Sequence, residues 1–334
     1  MEISQTQPAS ILYLIYDGDC VLCRNITKAL KIKKAVGALE VINGRSSHPL
    51  VKEAYQNHFN LNEGILVKFN DKYYYGADAM HFLALVGSPS DLFNKINVYV
   101  FSSKYFAKYG YSLFKIIRNI LLIIQNISPL TDNHNASLSR MIFGNAVSKL
   151  PKVLQRRYNI KPYSHDKILL KGRMNIYVSK IFSLLLPFVR LTSTMVTSPA
   201  NGIPVEVELK SDPQSSAILM QRIFYYPDRA PHFFSTHIIH IKDNMVIESM
   251  KFRIVTTLLY YVDDNKIVMK YGGYAFYICK WLIPIPLGFI IGKFFAYEEA
   301  VDEETFKIQV RIIHPLFGRI WEYNGQFKIA HLDD

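Results

Sequence analysis

The sequence predicts an α+β protein of two domains, an N-terminal α/β domain and a C-terminal curved antiparallel β-sheet or barrel with a packed helix. Three observations lead to this fold class. Apolar runs alternate with helical patterns up to about residue 127. From Pro204 onward, strand-like runs follow one another with short turns between them. Between the two regions, residues 128–172 are polar, contain proline and carry basic charge, which predicts a linker.

The first domain, residues 1–127, shows the order β-α-β-α-β-β-α. The strands are expected at Ile11–Tyr16, Leu39–Ile42, Ile65–Phe69 and Tyr73–Tyr75, and the helices at Val21–Lys34, Pro49–His58 and Ala77–Val86. The turn Asn70-Asp71-Lys72 favours a hairpin between the last two strands. This order is that of a minimal thioredoxin-like fold, and Phe93–Ile127 is expected to extend it as a helix.

The last domain, residues 173–334, is expected to be rich in β-structure. One helix is predicted at Asn175–Leu191, where apolar side chains recur with helical spacing. The strands are expected at Val205–Lys210, Ala217–Tyr226, Phe233–Lys242, Met245–Met250, Ile254–Val262, Lys266–Tyr271, Phe294–Asp302, Phe306–Ile313 and Arg319–Ile329. Short turns between sequential strands indicate antiparallel pairing. Such a curved sheet could enclose a hydrophobic ligand, although an ordinary packed core explains the aromatic strands equally well.

The net charge of +12 is concentrated in the middle of the chain. Residues 129–203 hold 11 basic and 2 acidic side chains. The basic residues between Asp132 and Asp166 include Lys149, Lys152, Arg156, Arg157 and Lys161. This block fits attachment to an anionic membrane surface, and it fits a solvated linker beside two core helices as well. Nucleic acid is disfavoured as a partner because no nucleic-acid motif is present.

The chain has three cysteines, Cys20, Cys23 and Cys279, which are too few for a secreted disulfide scaffold. Its first ten residues are polar and do not resemble a secretory signal. We therefore expect a cytoplasmic location, with peripheral membrane attachment as an extension, and no cofactor beyond a redox-active dithiol. No stretch of about 20 apolar residues predicts a transmembrane helix.

Cys20 and Cys23 form a Cys-x-x-Cys pair between a predicted strand and a predicted helix. The positive end of a helix stabilises a thiolate, so Cys20 is expected to attack a disulfide and Cys23 to resolve the mixed disulfide. Arg24 is expected to add positive potential, whereas Asp17 and Asp19 oppose it, accept a proton or cap the helix. Two alternatives stay open. The pair could be half of a zinc site, which needs two further ligands, or a chemically inert remnant.

Asp17-Gly18-x-Cys20-x-x-Cys23, together with the later Gly76-Ala77-Asp78-Ala79, resembles the DCC family of predicted thiol-disulfide oxidoreductases over about residues 11–125. The resemblance implies a thioredoxin-like fold and a redox dithiol at Cys20 and Cys23. One departure concerns the substrate groove: thioredoxins carry a cis-proline before the hairpin, where this chain has Asn62-Glu63-Gly64. A protein or small-molecule thiol or disulfide is the partner that the resemblance implies.

Residues from about Leu150 to Ala330 resemble a second bacterial family, domain of unknown function 4166. The residues that carry the resemblance are Leu150-Pro151, Gly172-Arg173, Pro204-Val205, Arg222-x-Phe224, Phe234-Ser235, Glu248, Pro284-x-Pro286, Tyr297-Glu298, Pro315-Leu316-x-Gly318 and Tyr323-x-Gly325. The tryptophan that usually precedes the arginine of that family is Gln221 here. Domains of the two types commonly occur fused. The second resemblance implies no established activity.

Arg222, Glu248 and Glu298 lie within apolar strand patterns, where an unpaired charge would be costly. Arg222 could pair with Glu248 or Glu298 at the floor of a pocket, or these charges could face outward at alternate strand positions. Two functions follow. In one, a dithiol domain exchanges disulfides and a β-rich domain binds a hydrophobic ligand or a membrane-associated partner. In the other, the chain is a lipid- or partner-binding protein without enzymatic activity, and its thioredoxin-like part is a scaffold.

Overall fold

A computed structural model describes residues 11–30, 32–33, 37–87, 103–124, 127, 130, 136–182, 195–278 and 281–330. The chain divides into two compact units, residues 1–135 and 136–334. None of the described helices combines the length and apolar character needed to cross a bilayer.

The first unit contains a small mixed sheet of four strands with the order β2-β1-β3-β4. Its elements are β1 (Ile11–Tyr16), α1 (Val21–Ala29), β2 (Ala38–Asn43), α2 (Pro49–Gln56), β3 (Leu66–Phe69), β4 (Lys72–Tyr75), α3 (Ala77–Val86) and α4 (Lys104–Ile124). Strand β1 pairs parallel with β2 and antiparallel with β3. The buried residues Leu12, Leu14 and Ile15 place β1 in the centre of the sheet, as its apolar run predicts. Asn70 and Asp71 have positive φ at the hairpin turn.

The second unit is a closed antiparallel barrel. Its strands are β5 (Lys167–Val178), β6 (Ala200–Asp212), β7 (Ser215–Phe224), β8 (His232–Lys242), β9 (Met245–Ser249), β10 (Ile254–Asp263), β11 (Lys266–Ile278), β12 (Trp281–Ile285), β13 (Lys293–Ala300), β14 (Thr305–His314) and β15 (Gly318–Ala330). The order β10-β9-β8-β7-β6-β5-β15-β14-β13-β11 closes through the pairing of β10 with β11, and β12 pairs with β11 outside this ring. Closure pairs the ring's edge strands.

Two glycines allow β5 and β15 to pack closely on each other. A Cβ at Gly172 would lie 2.1 Å from the Gln326 carbonyl oxygen, and one at Gly325 would lie 2.3 Å from the Arg173 carbonyl oxygen. No side chain can be accommodated at such distances without movement of the backbone. Glycine at a strand position commonly marks such a close approach in a strongly coiled barrel.

The structure differs from the expected linker at residues 128–172. Helices α5 (Leu138–Phe143) and α6 (Lys152–Arg157) form there, and β5 begins at Lys167. Leu138, Leu154 and Ile160 are fully or almost fully buried in the core of the barrel unit. Residues 136–172 are therefore part of the folded barrel unit, because their apolar side chains, rather than their basic ones, determine their packing.

The packed helix expected at Asn175–Leu191 begins as a strand instead. Residues 175–178 are the end of β5, where Ile176 is buried and Tyr177 is exposed. Alternation of this kind is the period of a strand. Residues 183–191 lie outside the described residues. Two other helices pack on the barrel: α5 contacts β8 and β10, and α6 contacts β13 and β14.

Candidate functional site

The Cys-x-x-Cys pair lies where β1 passes into α1. Cys20 is the N-cap of α1, and its Sγ accepts a hydrogen bond of 3.2 Å from the backbone N–H of Cys23. The turn needs glycine at position 18, because a Cβ there would lie 2.4 Å from the side chain of Asn43. The Asn43 side chain accepts hydrogen bonds from the backbone N–H groups of Gly18 and Arg45, both at 3.0 Å. The sequence prediction of a dithiol at a helix start describes this arrangement.

The two thiols have very different acidities. The pKa of Cys20 is lowered from 9.0 to about 7, first because the Cys23 thiol donates a hydrogen bond to its sulfur. Burial opposes this shift, while the backbone N–H of Cys23 and the charge of Arg118 support it. The pKa of Cys23 is raised, because its proton is held by Cys20 and the thiol is buried. Cys20 is therefore the more acidic of the two thiols and is about half ionised at pH 7, whereas Cys23 keeps its proton.

The charged groups around the dithiol form a buried cluster. Asp17 accepts hydrogen bonds from Arg45 at 2.7 and 3.1 Å, and Arg118 lies 3.4 Å from its Oδ2. Asp17 therefore binds two arginines instead of capping the helix, and its charge raises the pKa of Cys20. Asp19 lies 3.8 Å from Arg45. The positive charge that lowers the pKa of Cys20 belongs to Arg118, whereas Arg24 acts on Tyr16.

Helix α4 covers the dithiol. Cys20 is 1 % and Cys23 is 2 % exposed, and Phe114 and Leu122 of α4 pack against them. The cavity beside Cys23 measures about 20 Å³, which is room for one or two water molecules. Arg118 of the same helix donates a hydrogen bond to the carbonyl oxygen of Asn62. No cis peptide bond occurs among the described residues, so the loop from Asn62 has no cis-proline geometry. Both thiols are therefore shielded from solvent, and α4 contributes to this cover.

A second polar cluster lies inside the barrel. Arg222 of β7 donates hydrogen bonds to Thr236 Oγ1 at 3.0 Å and to Glu248 Oε1 at 2.8 Å, and Thr236 donates to the same Glu248 oxygen at 2.7 Å. The guanidinium group of Arg222 lies 4.7 Å from the centre of the Phe234 ring. The pairing of Arg222 with Glu248 is one of the two arrangements that the sequence suggested.

Glu298 belongs to a different pair. Arg157 Nη2 of α6 lies 3.6 Å from Glu298 Oε1, and both side chains are buried. Arg157 Nε, Arg157 Nη1 and Glu298 Oε2 have no hydrogen-bond partner in the structure. Burial raises the pKa of Glu298, while the charge of Arg157 and a hydrogen bond from Tyr158 oppose this shift. The sequence reasoning missed Arg157 as a site residue, because it lies in the segment interpreted as a linker.

Two adjoining cavities of about 70 and about 60 Å³ lie inside the barrel. Both are lined by Arg222, Glu248, Phe294 and Tyr323. Most of the remaining lining is apolar. Arg157 and Glu298 line the second cavity but not the first. An apolar cavity of about 150 Å³ is large enough to bind benzene, so the combined interior suits a ligand of similar size.

The comparison with protein families supports the resemblance of the C-terminal unit to domain of unknown function 4166. The family model described as "Domain of unknown function (DUF4166)" matches residues 150–327. No curated protein matches the chain.

Two solved structures show partial likeness. One is a protein of unknown function of the DUF3598 family from Nostoc punctiforme, with a TM-score of 0.30 and 7% identity over 49% of this chain and 47% of that one. The other is a protein assigned as a thioesterase II from Thermobifida fusca, with a TM-score of 0.16 and 8% identity over 48% of this chain and 78% of that one. The chain thus spans about half the length of the first. The assignment of a function therefore depends on the side chains of the chain itself.

Proposed function

The chain belongs to the DUF4166 family, and we propose that it is a thiol-disulfide oxidoreductase whose dithiol unit is fused to a barrel that binds a hydrophobic ligand. The observation that carries the redox part is the N-cap position of Cys20, whose sulfur accepts the N–H of Cys23 at 3.2 Å. A thiolate is the nucleophile of disulfide exchange, and this position stabilises one.

The order β2-β1-β3-β4, with a parallel pair and an antiparallel hairpin, supports a thioredoxin-like fold for the first unit. The resemblance of residues 11–125 to the DCC family supports the same assignment. In the first unit, as in the pattern of that family, the Cys-x-x-Cys pair follows the carboxyl end of the first strand and lies at the start of the first helix.

The proposed reaction has two steps. The Cys20 thiolate attacks one sulfur of a substrate disulfide, a bond forms between these two sulfurs, and the other substrate sulfur leaves as a thiolate. The Cys23 thiol then loses its proton to that leaving thiolate or to water and attacks Cys20. A Cys20–Cys23 disulfide forms, and the second substrate sulfur leaves as a thiolate that takes up a proton. The protein is oxidised by two electrons and the substrate disulfide is reduced by two.

The first test is the ionisation of Cys20. We expect the ultraviolet absorbance of its thiolate to titrate with a midpoint near pH 7. Because the largest cause of the lowered pKa is the hydrogen bond from Cys23, Cys23→Ala should raise the midpoint, while Cys23→Ser, which keeps a donor, should raise it less.

The Cys20→Ser variant supplies the background absorbance for this titration. A midpoint at or above 9, or equal midpoints in the alanine and serine variants, would contradict the proposed role of Cys20.

The specific observation that favours a ligand-binding barrel is the hydrogen-bonded Arg222, Thr236 and Glu248 group on the wall of an otherwise apolar cavity. Binding sites commonly combine an apolar lining with a few polar groups that orient the ligand. The ligand class is therefore a small apolar molecule with one polar head group.

We expect carboxylic acids or alcohols of about six carbons, which are close to benzene in size, to raise the melting temperature of the full chain. Thr256 lines the first cavity, and Thr256→Leu should reduce the shift by occupying part of the volume. Val301→Leu, an exposed substitution at a loop, serves as the matched control. The cavity is not the binding site if neither ligand class raises the melting temperature. The same conclusion follows if the ligand raises the melting temperature of Thr256→Leu as much as that of wild type.

A further inference from the structure

The two ends of the barrel differ in their loops. Successive connections of an antiparallel barrel lie at alternate ends. The connections at residues 213–214, 243–244, 264–265 and 301–304 therefore share one end. Those at 225–231, 250–253, 286–292 and 315–317 share the other, because Lys293 pairs with Ile313 beside the last of them.

The first end is acidic. Its turns carry Asp243, Asp264, Asp302, Glu303 and Glu304. Helix α6 of the basic middle segment is bound at this end, since Arg156 donates to the Glu303 carbonyl oxygen at 2.6 Å and Lys152 lies 3.5 Å from the Glu303 carboxylate. Both basic residues are therefore engaged with Glu303 of their own unit, Lys152 with its carboxylate and Arg156 with its backbone carbonyl.

The opposite end carries large apolar side chains that point into solvent. Phe289 is 77 %, Leu316 is 81 % and Trp281 is 57 % exposed. We call the whole set the apolar rim; its members are Phe233, Phe252, Trp281, Ile283, Phe289, Ile290, Leu316 and Phe317. The rim residues belong to separate loops, to the start of β8 and to the outer strand β12. Exposed apolar groups that are gathered on one side of a molecule mark an interaction surface.

Basic residues accompany the rim. Lys251 and Arg253 flank Phe252, and Lys293 follows the loop with Phe289, whereas Arg319, after the loop with Leu316, pairs with Glu322 at 2.8 Å. The segments 250–254 and 286–293 contain no acidic residue, and Asp228 in the loop 225–231 is paired with Arg229. Apolar tips with adjacent basic groups complement a surface that is anionic outside and apolar beneath.

Several rim residues are next in sequence to residues that line the first barrel cavity. Met250 and Ile254, which line that cavity, flank the loop of Phe252, and Ile291 follows Phe289 and Ile290. Phe234, another lining residue, follows Phe233. A surface bound by the rim therefore lies next to the cavity.

We propose that the apolar rim docks on an anionic lipid bilayer, with its aromatic and aliphatic tips in the interfacial layer and the acidic end of the barrel directed away from it. A bilayer suits the rim better than a second copy of the chain does. The tips lie on several loops instead of one flat face, and two rims of the same positive sign would repel each other.

The experiment is co-sedimentation of the full chain with vesicles of phosphatidylcholine alone or of equimolar phosphatidylcholine and phosphatidylglycerol. We expect binding to the anionic vesicles that is at least about tenfold stronger than to the neutral ones. The triple variant Phe252→Asn, Phe289→Ser and Leu316→Ser should lose at least about tenfold in affinity. Asparagine is chosen at position 252 because Phe252 has a φ of 59°.

A pair of charge variants distinguishes the two ends. Arg253→Gln with Lys293→Gln should weaken binding to anionic vesicles, whereas Lys152→Gln with Arg156→Gln removes the same charge at the acidic end and should leave it unchanged. Brominated lipids should quench the fluorescence of Trp281, which is exposed in the rim. Trp321, the other tryptophan, is buried and should contribute little to this quenching.

Equal binding of the triple variant and wild type would overturn the proposal. So would equal losses in the two charge pairs, or binding to neither type of vesicle. A dimer that forms without lipid and disappears in the triple variant would assign the rim to a second copy of the chain. The melting temperature of each variant controls for folding.

Discussion

Cys20→Ser is expected to reduce the rate of reduction of oxidised glutathione by the pre-reduced protein by several orders of magnitude. The hydroxyl group of serine does not ionise near neutral pH, so the variant loses the thiolate that attacks the disulfide. Cys23→Ser keeps the attacking thiolate but cannot resolve the intermediate. It should therefore accumulate a mixed disulfide of Cys20 with glutathione, which mass spectrometry detects. Both variants are measured in a Cys279→Ser background to remove the third cysteine.

The cover formed by α4 sets a further expectation for this reaction. Phe114 packs on the dithiol, so Phe114→Ala should accelerate mixed-disulfide formation in the Cys23→Ser protein. Leu113→Ala on the exposed side of the same helix is the matched control and should leave the rate unchanged. If Cys20→Ser reduces glutathione disulfide as fast as wild type, the redox function is wrong. If Cys23→Ser forms no mixed disulfide even with Phe114→Ala, the dithiol is a structural remnant.

Arg157→Met is expected to lower the free energy of unfolding of the barrel by about 3–5 kcal/mol at pH 8, because it leaves the Glu298 carboxylate buried without a counter-charge. Urea unfolding followed by tryptophan fluorescence measures this loss, since both tryptophans, Trp281 and Trp321, lie in the barrel unit. The double variant Arg157→Met with Glu298→Leu removes both charges and should recover most of the loss.

The pH dependence of stability follows from the raised pKa of Glu298. A carboxyl group with a raised pKa in the folded state contributes stability below its unfolded pKa, near 4.5, and loses that contribution as pH rises through the folded value. Loss of Arg157 removes an opposing cause and raises the pKa further. The cost of Arg157→Met should therefore be smaller at pH 5 than at pH 8. An equal cost at both pH values, or a double variant no more stable than Arg157→Met, would contradict this description of the pair.

The position of the two cysteines at a helix start was predictable from the sequence, but the charged residues that surround them were not. The apolar run of β1, the Asp17-Gly18 turn and the helical pattern after Cys20 are local features, so spacing alone predicts the N-cap position. Arg45 and Arg118 approach Asp17 from sequence distances of 28 and 101 residues. No local pattern shows such contacts, and the sequence therefore assigned the positive charge to the neighbouring Arg24.

The barrel was predictable in most of its strands but not in its closure. Alternation and turn residues are local, and they indicate most of the strands from β6 to β15. The first residues of β5, 167–172, were assigned to the linker, and its last four, 175–178, were interpreted as a helix because short apolar runs satisfy both periods. The linker was misplaced because its basic residues dominate its composition, while Leu138, Leu154 and Ile160 are buried in the barrel unit. The choice of Arg157 as the partner of Glu298 depends on this packing.

What the sequence by itself determined is local: the dithiol at a helix start, the antiparallel character of the second unit, and the presence of charged residues on apolar strands. Only the tertiary structure decided which charges pair, that α4 covers the dithiol, and that apolar tips and basic groups gather at one end of the barrel. The physical reason is that backbone periodicity and turn chemistry act over a few residues, whereas burial and ion pairing depend on residues that chain folding brings together from far apart.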